Sequence, residues 1–90
     1  SQVVFKTINR RDMKEIEAIK MRKWIRELKT YGFTDLSISK YAGIQSNQTV
    51  REFAENQDRI LQEHNHKALY EWLLTTREKI TILKQNEETN

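Results

Sequence analysis

The sequence predicts an all-α protein, a small bundle of about four helices. Three observations predict it. Among 90 residues there is no proline and there are two glycines, so the frequent turns of an all-β chain have few residues to make them. Apolar side chains recur at three- and four-residue spacing from Met13 to Tyr31, and again from Val50 to Leu83. The glycines, Gly32 and Gly43, fall where helical runs break. Hydrophobic residues make up 37% of the chain and charged residues 32%, which bounds residues 1–90 to a single domain with a modest core.

At the N-terminus, Val3, Val4, Phe5 and Ile8 read either as a short extended arm packed on the helices or as the end of another element. The stretch is too short and polar for a signal peptide. Ser1 in place of a methionine suggests a trimmed chain or a piece of a longer one. The first helix should begin near Asn9 or Arg10, with Asn9 as its cap and Asp12 at its positive end. Met13, Ile16, Ile19/Lys20, Trp24 and Leu28 form its expected core face, while Arg22, Lys23, Arg26 and Lys29 lie around the others. Gly32 should end it.

A second, short helix should start after Thr34, with Ser37 at its third position, and end at Ala42-Gly43. The third should start at Ser46 and run through Val50, Phe53, Ala54, Gln57, Ile60, Leu61 and His64. Apolar spacing then continues through Ala68, Leu69, Trp72, Leu73, Ile80 and Leu83. One uninterrupted helix over 47–85 would be near 58 Å long at about 1.5 Å per residue. A small domain is better served by a bend at Glu63–His66, with Asn65 capping a C-terminal helix over about 66–85. From Gln85 the tail is polar and acidic and should fray.

The stretch Ser37–Phe53 carries the functional signal. A helix-turn-helix needs a small residue where its two helices cross, a left-handed turn residue, an apolar residue just after it, and an apolar residue packing back from the second helix. Ser39, Gly43, Ile44 and Val50 supply these in order. Ser46 is placed to accept a hydrogen bond from the amide of Gln48 or Thr49, and the helix N-terminal amides there suit a phosphate. The motif would occupy about 34–64.

Ile38-Ser-Lys-Tyr-Ala-Gly-Ile through Gln48-Thr-Val resembles the helix-turn-helix of the lactose-repressor and related bacterial regulator families, which carry an apolar-Ala-x-x-Ala-Gly-Val-Ser-x-x-Thr-Val run. The likeness covers about 17 of the 90 residues. Ser39 stands where the family has alanine, and one extra residue, Gln45, separates Gly43 from Val50. The resemblance implies that the third helix enters the major groove by its N-terminal residues. Asn47, Gln48 and Arg51 would then face bases, because Asn and Gln pair bidentately with adenine and Arg with guanine. Thr49 would reach a phosphate or a thymine methyl. Ser46, Lys40, Arg22, Lys23 and Arg26 would hold the backbone, with Tyr41 either beside them or in the core.

Charge is distributed in the same sense. Residues 6–29 hold nine basic and four acidic side chains, a net +5, whereas 52–88 hold five basic and eight acidic, a net −3. The front half is the anion-binding candidate, although basic side chains also make ordinary solvated helix faces. Glu52 and Glu55, on the reading helix itself, oppose phosphate.

Other chemistries find little support. There is no cysteine, hence no disulfide or thiolate metal site, which fits a reducing cytoplasm. His64 and His66 are two apart, point to different faces of a helix, and should be solvent-exposed at a junction; neither metal nor cofactor is expected. Trp24 and Trp72 sit on apolar stripes and should be core. No glycine-rich phosphate loop or nucleophile motif is present, so neither an enzyme nor a small-molecule substrate is expected, and no apolar run spans a membrane. The C-terminal half carries more apolar surface than the first helix can cover, which suggests a homodimer; the alternative is that the first and last helices bury each other in a monomer. Sequence-specific binding of double-stranded DNA, by a small transcriptional regulator or DNA-transaction accessory factor of bacterial, phage or plasmid type, is the expected function. The alternative is a helical protein-interaction module that does not bind DNA.

Overall fold

The computed structural model describes the backbone of residues 10–89 and the side chains of 12–82. Four helices follow in order: α1 (Arg10–Thr30), α2 (Asp35–Ala42), α3 (Asn47–Glu55) and α4 (Glu63–Thr89). No strand occurs among the described residues, so the all-α expectation holds. The expected arm at 1–8 and the Asn9 cap lie outside the described residues.

Two helix ends are built alike. At the end of α1 the Gly32 amide donates to Lys29 O at 3.1 Å and the Phe33 amide to Leu28 O at 3.2 Å. At the end of α2 the Gly43 amide donates to Lys40 O at 3.3 Å and the Ile44 amide to Ser39 O at 2.8 Å. Both are Schellman closures, and both need a left-handed residue, supplied at φ +99° and +81° by the two glycines. The second closure drives Ile44 into the core. The start of α2 is a full capping box: Thr34 Oγ1 accepts from the Ser37 amide at 3.1 Å, and Ser37 Oγ accepts from the Thr34 amide at 2.8 Å.

The buried face of α1 differs from the expected one. Met13, Ile16 and Ile19 are exposed, whereas Met21, Trp24, Ile25 and Leu28 are buried. The reason is the three-residue spacing of 13, 16 and 19. It falls short of the 3.6-residue turn, so those side chains walk around the helix and leave the stripe that meets α3 and α4.

The chain reverses at 56–62, earlier than Glu63–His66. After Glu55 the Asn56 amide makes one last helical bond to Glu52 O. Asn56 Oδ1 then accepts from the Asp58 amide at 2.9 Å, an Asx turn that competes with helix continuation. The new helix begins at Glu63, so Asn65 lies inside its first turn and caps nothing. Beyond Gln85, where fraying was expected, helix continues to Thr89. Starting at Glu63 also brings His66, Leu69 and Leu73 onto one stripe, all buried. His66 is therefore not a surface histidine: it is 1% exposed, with Nε2 2.9 Å from Glu17 Oε1. His64 is exposed.

The core joins Met21, Ile25 and Leu28 of α1 to Ile38, Val50, Phe53, Leu69 and Leu73. Trp24 stacks on Tyr70 at 5.9 Å, while half-buried Trp72 stacks on Tyr41 at 6.0 Å with Phe33 edge-on to both. Much of the apolar surface of α4 that suggested a second copy is thus covered within one chain. Leu74 and Ile82 remain exposed. No helix among the described residues is long and apolar enough to cross a membrane.

Candidate nucleic-acid interface

The α2–turn–α3 unit presents its surface through burial on one side. Ser39, Ile44, Val50 and Phe53 are buried, which fixes the rotation of α3. The opposite side of its N-terminal half then exposes Asn47, Gln48 and Arg51, with Thr49 half-buried between them. Asn47 and Arg51 are four apart and so lie on one strip, about 6 Å along the axis. Neither makes a hydrogen bond or ion pair among the described residues. Gln48 is engaged: its Nε2 donates to Glu52 Oε1 at 3.0 Å, and Glu52 Oε2 lies 3.6 Å from Arg59 Nη2. This exposed relay neutralises one of the two acids that oppose phosphate; Glu55 stays exposed beside it.

Ser46 occupies the position before α3, but its side chain makes no capping hydrogen bond. The expected bond to Gln48 or Thr49 is absent because the residue only supplies the extended backbone (φ −120°, ψ 123°) from which the helix starts. No acidic residue lies in the first turn of α3. Its leading amides are therefore left for another acceptor. Lys40, in the last turn of α2, is exposed, as are Lys23 and Arg26 on α1. Arg26 lies toward α3, where it borders a cleft with Phe53.

Arg22 departs from the predicted role. It is 6% exposed, with its guanidinium 4.3 Å above the Phe53 ring. Its Nε donates to Phe53 O at 2.7 Å, and its Nη2 donates to Asn56 O at 3.0 Å and Arg59 O at 2.8 Å. These carbonyls belong to the last turn of α3 and the reversal after it, which have no glycine to close them. Burial pulls the Arg22 pKa below its usual value and the nearby Asp58 partly opposes this; the guanidinium stays charged at neutral pH. Arg22 is a C-terminal cap supplied from another helix, so a backbone phosphate contact is left to its neighbours. The signal was available in sequence: Arg22 borders the Met21–Ile25–Leu28 stripe, and no glycine follows Glu55 to close α3.

The arrangement offers an exposed amide, a guanidinium and helix N-terminal amides with no side-chain cap at the start of α3. It has the donors for base edges and phosphates. Among the described residues no group of three histidine or acidic side chains is placed to hold a metal. No known protein family matches the chain, and no characterised protein or solved structure is detectably similar to it. The likeness in residues 37–53 to bacterial regulators therefore rests on those residues alone.

Proposed function

We propose that the protein binds double-stranded DNA through the α2–turn–α3 unit, used as a helix-turn-helix, and serves as a small regulator or DNA-transaction accessory factor. The observation that carries this is the pair Asn47 and Arg51. Both are exposed, on one strip of α3, and without another partner among the described residues, directly behind a helix start whose amides are uncapped. In this reading Asn47 and Arg51 meet base edges, and Gln48 joins them after releasing Glu52, a break of an exposed contact that costs about 0.2–0.5 kcal/mol. Ser46, Thr49 and Lys40 hold the nearest phosphates, and Lys23 and Arg26 hold phosphates farther along. Where half-sites are read in pairs, a second copy would meet the first through the exposed Leu74 and Ile82 of α4.

Arg51→Ala should relax sequence preference, whereas Arg26→Ala should weaken binding to every duplex alike. A selection from random duplexes, followed by gel shifts with each variant, separates the two. Equal loss on all sequences for Arg51→Ala would remove base reading from α3.

A second reading, a protein-interaction module, is favoured by one observation. Glu52 and Glu55 sit on α3 itself, and Tyr41 is 65% exposed on the neighbouring α2. Capture of a protein partner that Tyr41→Ala abolishes, with no retention of DNA, would support it over the first.

A further inference from the structure

A cleft of about 640 Å³ lies between α1 and the α3–α4 reversal, within the range of roughly 300–1,000 Å³ typical of small-molecule sites. Its α1 wall runs from Lys14 to Arg26, about 18 Å along the helix axis. Phe53 and the segment 57–61 form the other wall, closed by His66. Two features set it apart from the rest of the surface. The two most exposed large apolar side chains among the described residues, Ile19 at 68% and Ile60 at 66%, both line it. Together they give the recess two apolar sides on which a hydrocarbon chain can lose contact with water.

The second feature is the state of its cations. Lys14 is paired with Glu63 at 3.6 Å and Arg59 with Glu52 at 3.6 Å. Arg26 has no ion pair among the described residues. One helical turn away, buried Arg22 commits Nε and Nη2 to carbonyls, while its Nη1 makes no hydrogen bond among the described residues. Two arginines one helical turn apart thus line the cleft beside its apolar side chains. Glu15 and Asp58 also line the cleft, and Asp58 acts on the Arg22 charge; these carboxylates oppose any anionic guest, and a singly charged one least.

We infer that this cleft binds an amphipathic monocarboxylate, its carboxylate held by Arg26 and Arg22 Nη1 and its hydrocarbon body lying between Ile19 and Ile60. The inference does not rest on the DNA reading, but the two share Arg26, so a bound carboxylate and a phosphate would compete for that guanidinium. Because the same Arg22 guanidinium caps α3, occupancy is transmitted to the carbonyls of Asn56 and Arg59.

The test is a titration of the ¹⁵N-labelled chain with sodium decanoate below its micelle concentration, with decyltrimethylammonium as the control of opposite charge. Saturable shifts confined to the α1 wall, residues 53–61 and His66 are expected for decanoate and not for the ammonium. Arg26→Ala should weaken decanoate by about fivefold or more, the loss of one charge-assisted contact. Ile60→Glu, at an exposed position that the fold tolerates, should weaken it further, with the unfolding midpoint unchanged. Equal binding of the ammonium, shifts spread over the whole chain, or an unaltered Arg26→Ala titration would overturn the assignment. So would retention by phosphatidylglycerol vesicles with no binding of monomeric decanoate, which would assign the basic surface to a membrane headgroup.

Discussion

Arg22 bears more of the structure than any other polar side chain described. It satisfies Phe53 O, Asn56 O and Arg59 O and stacks on Phe53. Arg22→Met keeps volume but strands those carbonyls, and hydrogen bonds to a charged donor are worth about 1.5–3 kcal/mol each before non-additivity. The expected loss is about 2–3 kcal/mol in urea unfolding, seen as a lower midpoint with an unchanged slope. Arg22→Lys should recover only a small part, because an ammonium lacks the planar fork that spans three acceptors. Full recovery by lysine would mean that charge alone, and not the fork, closes α3. Gly43 makes a contrasting case. A methyl added there meets nothing within 4 Å, yet φ is +81°. Gly43→Ala should therefore cost only the left-handed backbone penalty, about 1 kcal/mol, or about 4–8 °C in thermal midpoint for a domain of this size. A drop much beyond that would show that the turn is packed more tightly than the open space implies.

At the level of the element, the two short helices start differently and should respond differently. Thr34 engages in a reciprocal box with Ser37, so Thr34→Ala should destabilise the fold by about 1 kcal/mol. Ser46 caps nothing with its side chain, and Ser46→Ala should stay within about 0.5 kcal/mol of the parent in stability while lowering duplex affinity if its hydroxyl holds a phosphate. A full capping loss for Ser46→Ala would place that hydroxyl on α3's own amides and remove it from the DNA surface. The start of α2 and both glycine closures were legible in sequence because Thr34, Ser37, Gly32 and Gly43 carry local chemistry that works in any context. The end of α3 was not, because it is made by Asn56 together with a cation 34 residues away. The buried stripe of α1 differs from its apolar periodicity for a related reason. Periodicity identifies apolar positions, but which of them are covered depends on where α3 and α4 cross. His66 is buried only because α4 begins at Glu63 rather than after Asn65.

For the molecule as a whole, the four helices of the described residues close around one core, with α4 lying against both α1 and α2. The covering of Leu69 and Leu73 within the chain removes much of the reason for obligate dimerisation. Leu74 and Ile82 leave room for a weak one, which sedimentation with and without duplex would detect, and Ile82→Lys should reduce it. The candidate surface in 37–53 was legible residue by residue at Lys40, Asn47 and Arg51, whose side chains are exposed. Gln48 is exposed but tied to Glu52, and Arg22, on α1, is drawn inward by carbonyls that only the folded chain brings near. The most direct measurement is the affinity for a random duplex at two salt concentrations. About four phosphate contacts from Lys40, Lys23, Arg26 and the start of α3 predict a fall of roughly 100-fold between about 50 and 200 mM salt. Binding that is insensitive to salt, or no tighter than that of an acidic control protein at the lower concentration, would contradict DNA recognition by this surface.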